Sequence, residues 1–318
     1  MNVNWDKDGK WKHRLLSSGL PLEHIAMRLL GEQHFLNCGP YSYRIGAKDD
    51  EKAGSVDIHG FRILKEIPES QGGFDLLVEC KYSNPSVRWV FCSLTGYQST
   101  LAEPFFYFDE LSEHKIERDR LDKYAGSWRC CGRGAAISSD SSDDRQISHG
   151  LEQLRYGCIS RCSGIFMRTA AALRKDTSYV LAGHGVTMCL PVLVTNAELW
   201  ILRRRIDLKV IYTSQSLKDI ADKVDYLVCF EKAGPEKNRF CFEEMRKLKN
   251  AYPQTDQFLE GAMKRLDERG IAHHPYKGIS DMLGIMQAKM EDSTEKIAVV
   301  SLSAFKRWLG DLAKAKPQ

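Results

Sequence analysis

Several things are missing from this 318-residue chain, and each absence removes a class of function. No apolar run approaches the ~20 residues that a membrane-spanning helix needs. The longest, such as MCLPVLV (Met188 to Val194), have the size of a strand. The N-terminal stretch MNVNWDKDGKWKHR is polar and lacks the apolar segment of a signal peptide, so the expected location is cytoplasmic, with no membrane partner. Ten cysteines are present, yet no C-x-x-C pair occurs. Cys158 and Cys162 are one helical turn apart, and Cys130 and Cys131 are adjacent. Even with His149 nearby, the paired spacing of a zinc site is missing, and free thiols are expected. No G-x-S-x-G nucleophile motif and no P-loop appear, which removes serine-hydrolase chemistry and nucleotide hydrolysis by the Walker route. Internal repeats and heptad runs are absent as well. Charge of neither sign dominates: the formal net charge of +4 permits nucleic-acid binding without demanding it.

What is present reads as a globular α/β chain, with 43% hydrophobic and 28% charged residues. LPLEHIAMRLLG (Leu20 to Gly31) has a helical stripe of Leu22, Ile25, Ala26, Leu29 and Leu30, with Pro21 in its first turn and Gly31 at its stop. Strand-like segments follow at Tyr41–Ile45, Val56–Ile63, Phe74–Tyr82 and Val87–Leu94. Turn-formers separate them at Asp49-Asp50, Gly54-Ser55 and Gln71-Gly72-Gly73. Residues 117–144 mix charge, glycine and serine, and Ser138 to Asp144 reads as a flexible surface loop. A helical pattern returns from Arg145 to about Ala172. Buried strands are expected at Cys189–Thr195, Glu198–Leu202 and Tyr226–Glu231. Beyond Gly234 the pattern is mostly helical, with amphipathic stretches at Phe242–Leu248 and Asp256–Arg269, a last strand at Ile297–Leu302, and a final helix at Ala304–Ala313 capped by Ser303.

The segment FDLLVECKYS (Phe74 to Ser83) carries the chemistry. Side chains alternate across a strand, so Asp75, Leu77, Glu79 and Lys81 share one face and Phe74, Leu76, Val78, Cys80 and Tyr82 the other. Taking an ion out of water costs several kcal/mol unless it is paired or bound to a metal. Glu79 and Lys81 could form a structural ion pair. In the preceding strand SVDIHGFRI, however, Asp57 also faces away from its apolar neighbours. If the two strands are antiparallel, Asp57 and Glu79 lie side by side and demand a cation or a shared proton. A hard divalent ion with oxygen ligands meets that demand. Glu23 borders the buried stripe of the first helix and can face the sheet, although a first-turn acid is also favoured by the helix dipole.

A helix acid, then a strand aspartate, then an apolar strand ending in E-x-K resembles the PD-(D/E)xK nuclease superfamily. The matching residues are Glu23, Asp57 and Glu79-Cys80-Lys81. Val56 stands where the literal motif has proline. The resemblance implies a restriction-endonuclease-like αβββαβ core: the helix Leu20–Gly31, the three strands through Tyr82, the helix Ile147–Ala172 and the strand Pro191–Thr195. Its mixed central sheet would be flanked by helices. Residues 1–234 would form the nuclease-like domain, and residues 235–318 a mainly helical C-terminal extension with one strand, packed on the core. By the same resemblance Asp57, Glu79 and the main-chain carbonyl of Cys80 hold Mg²⁺, for which Mn²⁺ can substitute. Lys81 positions the attacking water, and Glu23 serves a second ion or a water. Some family members carry a glutamine on the later helix. Here Gln153 and Arg155 are candidate phosphate or base contacts, with a solvated helix face as the other reading.

The implied function is metal-dependent endonuclease action, on DNA in the first instance with RNA not excluded, and in bacterial defence or restriction. A homodimer or a partner protein of a multi-gene system is the implied context. The competing reading is a catalytically silent nucleic-acid-binding or scaffold module on the same fold. Arg203, in the run Arg203-Arg204-Arg205, is a further candidate phosphate contact. AGHGVT (Ala182 to Thr187) lacks the lysine of a phosphate cradle and reads as a turn. His273-His274 reads as a surface turn, and the terminal KAKPQ as a frayed tail.

Overall fold

A computed structural model describes residues 10–45, 52–63, 73–94, 106–108, 129–138, 142–143, 145–174, 187–230, 234–251, 257–268, 277–293 and 295–312. The turn expected at 182–186, the His273-His274 pair and the KAKPQ tail lie outside these residues. Two helices open the described chain, α1 (Lys10–Ser17) and α2 (Leu20–Glu32). The strands that follow are β1 (Leu36–Asn37), β2 (Tyr41–Ile45), β3 (Lys52–Val56), β4 (Ile58–Ile63), β5 (Gly73–Lys81), β6 (Arg88–Ser93), β7 (Phe106–Phe108), β8 (Cys130–Ile137) and β9 (Ser142–Asp143). The long helix α3 (Arg145–Arg174) leads to β10 (Thr187–Thr195) and β11 (Glu198–Leu202). Next come α4 (Leu208–Thr213), α5 (Leu217–Ile220), β12 (Ala221–Val224) and β13 (Tyr226–Phe230). The helices α6 (Pro235–Ala251), α7 (Gln257–Glu268) and α8 (Ile279–Ser293) precede β14 (Lys296–Ser301) and α9 (Leu302–Leu312).

The protein is α/β, with one large mixed sheet flanked by helices. The strand order is β1-β4-β5-β10-β14-β13-β8-β6-β11-β12, with β7 added beside β10 and β9 beside β8. β4 and β5 run antiparallel, while β5 and β10 run parallel. A parallel pair needs a long crossover, and α3 lies within that connection, packed on both strands. β14 sits in the sheet interior, between β10 and β13, and all six of its residues are buried. That accounts for its nearly continuous apolar sequence, KIAVVS.

The alternation along β5 divides the core into two layers. Phe74, Leu76, Val78 and Cys80 join Leu22, Ala26, Leu29 and Leu30 of α2 and Phe305, Trp308 and Leu309 of α9. Leu77 on the opposite face joins Leu151, Leu154, Cys158 and Ile159 of α3, with Phe240 and Met245 of α6 and Met282 and Met286 of α8 behind them. The fit of α3 to the sheet depends on two glycines. A Cβ at Gly157 would lie 2.6 Å from Val56, and one at Gly150 would lie 2.7 Å from Leu193 and 3.3 Å from the stem of Lys81. Real side chains do not approach so closely, so glycine at these positions lets the helix settle onto the strands.

Several sequence expectations need correction. The segment Val56–Ile63 is not one strand. The chain bends at Asp57, and β3 leaves the large sheet to pair with β2 in a separate two-stranded ribbon. Gly54-Ser55, expected to form a turn, lie within β3 and pair with Tyr43 and Ser42. The stretch around Cys130–Ile137, expected to be irregular, is strand β8, and Ser142–Asp143 within the expected loop pairs with it. Small and cysteine residues at 130–137 mask the alternation of β8 because they are weak markers of periodicity. Cys92, expected to be buried, is exposed. Ser303 lies inside α9, which starts at Leu302. Among the described residues no helix is long and apolar enough to cross a membrane.

Candidate metal and catalytic site

The bend at Asp57 creates the site. β4 pairs with β5 up to Ile58 opposite Val78, and Asp57 comes next, at the level of Glu79. Where the backbone ladder ends, the side chain takes over: Asp57 Oδ2 accepts a 2.7 Å hydrogen bond from the Cys80 main-chain N–H. The N–H and C=O of one strand residue project to the same edge, so the Cys80 carbonyl also faces the Asp57 side. The Asp57 N–H in turn donates to Glu79 Oε2 at 3.3 Å. The two residues therefore adjoin where the β4–β5 ladder ends.

Lys81 closes the site from the α3 side. Its Nζ donates to Glu79 Oε1 at 2.6 Å and to Gln153 Oε1 at 2.8 Å. Gln153 is itself fixed by donation from Nε2 to the Ser55 carbonyl at 3.1 Å. An ammonium has three N–H donors, so one remains for a ligand. Glu79 is 1% exposed at its side chain and Lys81 is 18% exposed, so the acid is shut in while the amine reaches the surface. Glu23 approaches from α2 on the other side, near enough to Asp57 and Lys81 for their charges to act on it.

The electrostatics are those of a crowded acid cluster. Burial, then the charge of Asp57, push Glu79 up to about 7, and Lys81 only partly opposes them. Burial also raises Asp57, against the Cys80 hydrogen bond and Lys81. Glu23 is raised by burial and by Asp57. Burial is the first cause of all three shifts, and Lys81 offsets it only in part. The oxygen donors of the three acids are hard, the type that suits Mg²⁺ or Mn²⁺.

Neither a protein-family model, a curated protein nor a solved structure matches the chain.

The remaining sequence candidates fall elsewhere. Arg155 is half-buried, and its charge acts on Tyr156 and on Lys237 of α6. Arg203 lies at the opposite edge of the sheet. It clasps the carbonyls of Lys218 and Asp219 at 3.1 and 2.8 Å and pairs with Asp222 at 3.1 Å.

Two further groups were hidden from sequence reasoning. Asp75, fully buried on the same face of β5 as Glu79, accepts from His59 Nε2 at 2.8 Å and from Arg161 Nε and Nη2 at 2.9 and 2.5 Å. The signal was its place on the Glu79 face, but its partners come from β4 and α3. The second group is Cys158, Cys162 and Cys189, all fully buried, whose sulfurs lie within 4.8 Å of one another. The helical spacing of the first two is visible in the sequence, whereas the third comes from β10. His149 is exposed and stands outside the group.

Where the two parallel strands end, a side-chain clamp joins them. Asn196 Oδ1 accepts from the Ser83 N–H and Asn196 Nδ2 donates to the Ser83 carbonyl, both at 2.7 Å. The Ser83 hydroxyl donates to Gln146 at 3.2 Å and accepts from Trp89 Nε1 at 3.0 Å. This holds the segment just after Lys81 against the start of α3.

Proposed function

We propose that the protein is a metal-dependent nuclease that hydrolyses phosphodiester bonds, with DNA as its substrate, built on a restriction-endonuclease-like core. One observation carries the reading: Asp57 meets Glu79 and Lys81, distant from it in sequence, at the bend beside β5, Glu23 of α2 stands near enough to feel the charges of Asp57 and Lys81, and all three acids are raised above their usual range. The chain order α2, β4, β5, α3, β10, with β4 antiparallel and β10 parallel to β5, supports the resemblance to PD-(D/E)xK nucleases in its topology.

A divalent cation such as Mg²⁺ or Mn²⁺ would be held by Asp57, Glu79 and the Cys80 carbonyl, with Glu23 beside them, and would supply Lewis-acid stabilisation of charge at phosphorus. The chain's own residues do the rest. Lys81, tethered by Glu79 and Gln153, would use its third N–H to hold the attacking water or a phosphate oxygen. Gln153 holds that ammonium in place through the Ser55 carbonyl. Asp57 ties the donor set to the β5 backbone through the Cys80 N–H, which limits how far the acids can drift apart.

The test is a panel of linear, circular, single-stranded and RNA substrates, each with Mg²⁺, Mn²⁺ or chelator. Cutting that needs the ion and is lost in folded Asp57→Ala and Lys81→Ala supports the reading. Undiminished cutting by either variant overturns it. Calorimetric titration of Mg²⁺ tests the silent-module reading, because such a module binds no ion at Asp57 and Glu79.

A further inference from the structure

The three-cysteine group lies in the same α3-facing layer as the acid site but belongs to different chemistry. Cys158 and Cys162 project from successive turns of α3, and Cys189 meets them from β10. The Cys158 and Cys189 sulfurs are 3.7 Å apart. A disulfide needs about 2.05 Å, so this is no bonded pair. Two sulfurs bound tetrahedrally to one zinc at about 2.3 Å each lie about 3.8 Å apart. A hydrogen-bonded pair of thiols would have a similar spacing, so distance alone does not decide between them.

A second observation does. Lys237 of α6 is 95% buried by its 5% exposure, and its Nζ has no hydrogen-bond partner. An unpaired buried ammonium costs several kcal/mol. Desolvation, then the charge of Arg155, drive its pKa down to about 8, while Glu295, Cys241 and Cys158 pull it upward. It stands on α6, which packs against the Cys158-bearing helix α3, within electrostatic reach of Cys158. Three thiolates around a divalent ion carry one net negative charge, and Lys237 is the buried positive charge that would balance it. The neighbouring Asp75–Arg161 pair is already neutral, with His59 as its third member.

We propose that Cys158, Cys162 and Cys189 bind one thiophilic d¹⁰ metal ion as a structural site separate from the acid pocket, with Lys237 as its counter-charge. Soft thiolates select zinc or cuprous ion over Mg²⁺. On binding, each thiol releases its proton to solvent and each sulfur lone pair goes to the metal, with no change of oxidation state. A cuprous ion is complete with three sulfurs but leaves two negative charges, so the single Lys237 charge matches zinc better. Zinc takes one more donor from solution, because Asp75 beside Cys189 is committed to His59 and Arg161.

The site is tested on the full-length protein purified without chelator. Elemental analysis should find about one zinc or copper per chain. Metal-stripped protein titrated with Zn²⁺ or with Cu⁺ should regain it, with matching release of protons. Cobalt loading should give a thiolate charge-transfer band in the near ultraviolet. Cys162→Ala and Cys189→Ala should lose the ion and the band. Cys241→Ala, which removes a buried cysteine outside the group, should keep both. Lys237→Met should weaken binding at least tenfold. If either cysteine variant fails to fold, the wild-type titration and the cobalt band decide alone. Wild-type protein that arrives without metal, takes up neither ion and gives no band overturns the proposal.

Discussion

Two charged clusters share one face of the same two strands, and they are opposites. At Asp75, two oxygens receive three N–H donors from His59 and Arg161. Burial alone would raise that acid, but His59 and Arg161 outweigh it and hold the carboxyl below its usual range. Four residues along β5, Glu79 has Lys81 but also Asp57 against it, and it is pushed up to about 7. Both acids are equally buried, so burial does not separate them. The balance of partners does. A cluster that closes its own charge account holds the fold together, whereas one left in deficit has room for a ligand that the chain does not provide.

Breaking the satisfied cluster should have the largest effect on stability. Asp75→Ala strands Arg161 and His59 and should destabilise the protein by about 3–5 kcal/mol in urea unfolding. If the proposed function holds, breaking the deficient cluster strikes activity instead. Lys81→Ala should lower Mg²⁺-dependent cleavage by about 10²–10³-fold with the circular dichroism spectrum unchanged.

The two clusters should also differ with pH. Below 4.5 Glu79 is protonated in both folded and unfolded chains. Between 4.5 and about 7 only the unfolded chain ionises, so the contribution of this group to stability falls as pH rises, by on the order of 3 kcal/mol in all. Unfolding measured at pH 5 and pH 8 in chelator should show that loss, Glu79→Gln should abolish it, and Mg²⁺ should reverse it at pH 8. Asp75 has the opposite sign: its stabilisation is present above its unfolded pKa and is lost only as pH falls through its lowered value. Smaller effects follow. Gly150→Ala crowds Leu193 and the Lys81 stem and should cost about 1–3 kcal/mol, with a measurable fall in cleavage. Arg203→Ala, at a half-exposed ion pair, should change stability by less than about 1 kcal/mol and leave cleavage intact.

The sequence made one half of this contrast legible. Period-two alternation put Glu79 and Lys81 on one face of β5, and the apolar strands and long helices stood out by their own repeats. The bend at Asp57 was not visible, because a strand that changes sheets keeps its alternation on both sides of the break. Asp75 could be seen on the Glu79 face, but its rescue by Arg161 depends on α3 crossing at one particular height. Gln153 read more readily as a solvated residue, and the pairing of β3 with β2 fixes the strand whose Ser55 carbonyl it reaches. Local pattern thus located the acids, while their partners came from long-range packing.

The place of β14 has a consequence for how the molecule is made. Residues 296–301 insert between β10 and β13, yet they are made after every other described strand of that sheet. Until then the sheet has a gap at its centre, and α9, which packs on the Glu23-bearing helix α2, does not yet exist. A chain cut short before Lys296 should therefore leave β10 and β13 without their shared neighbour, so the acid cluster beside β5 would set only once this late strand has been made.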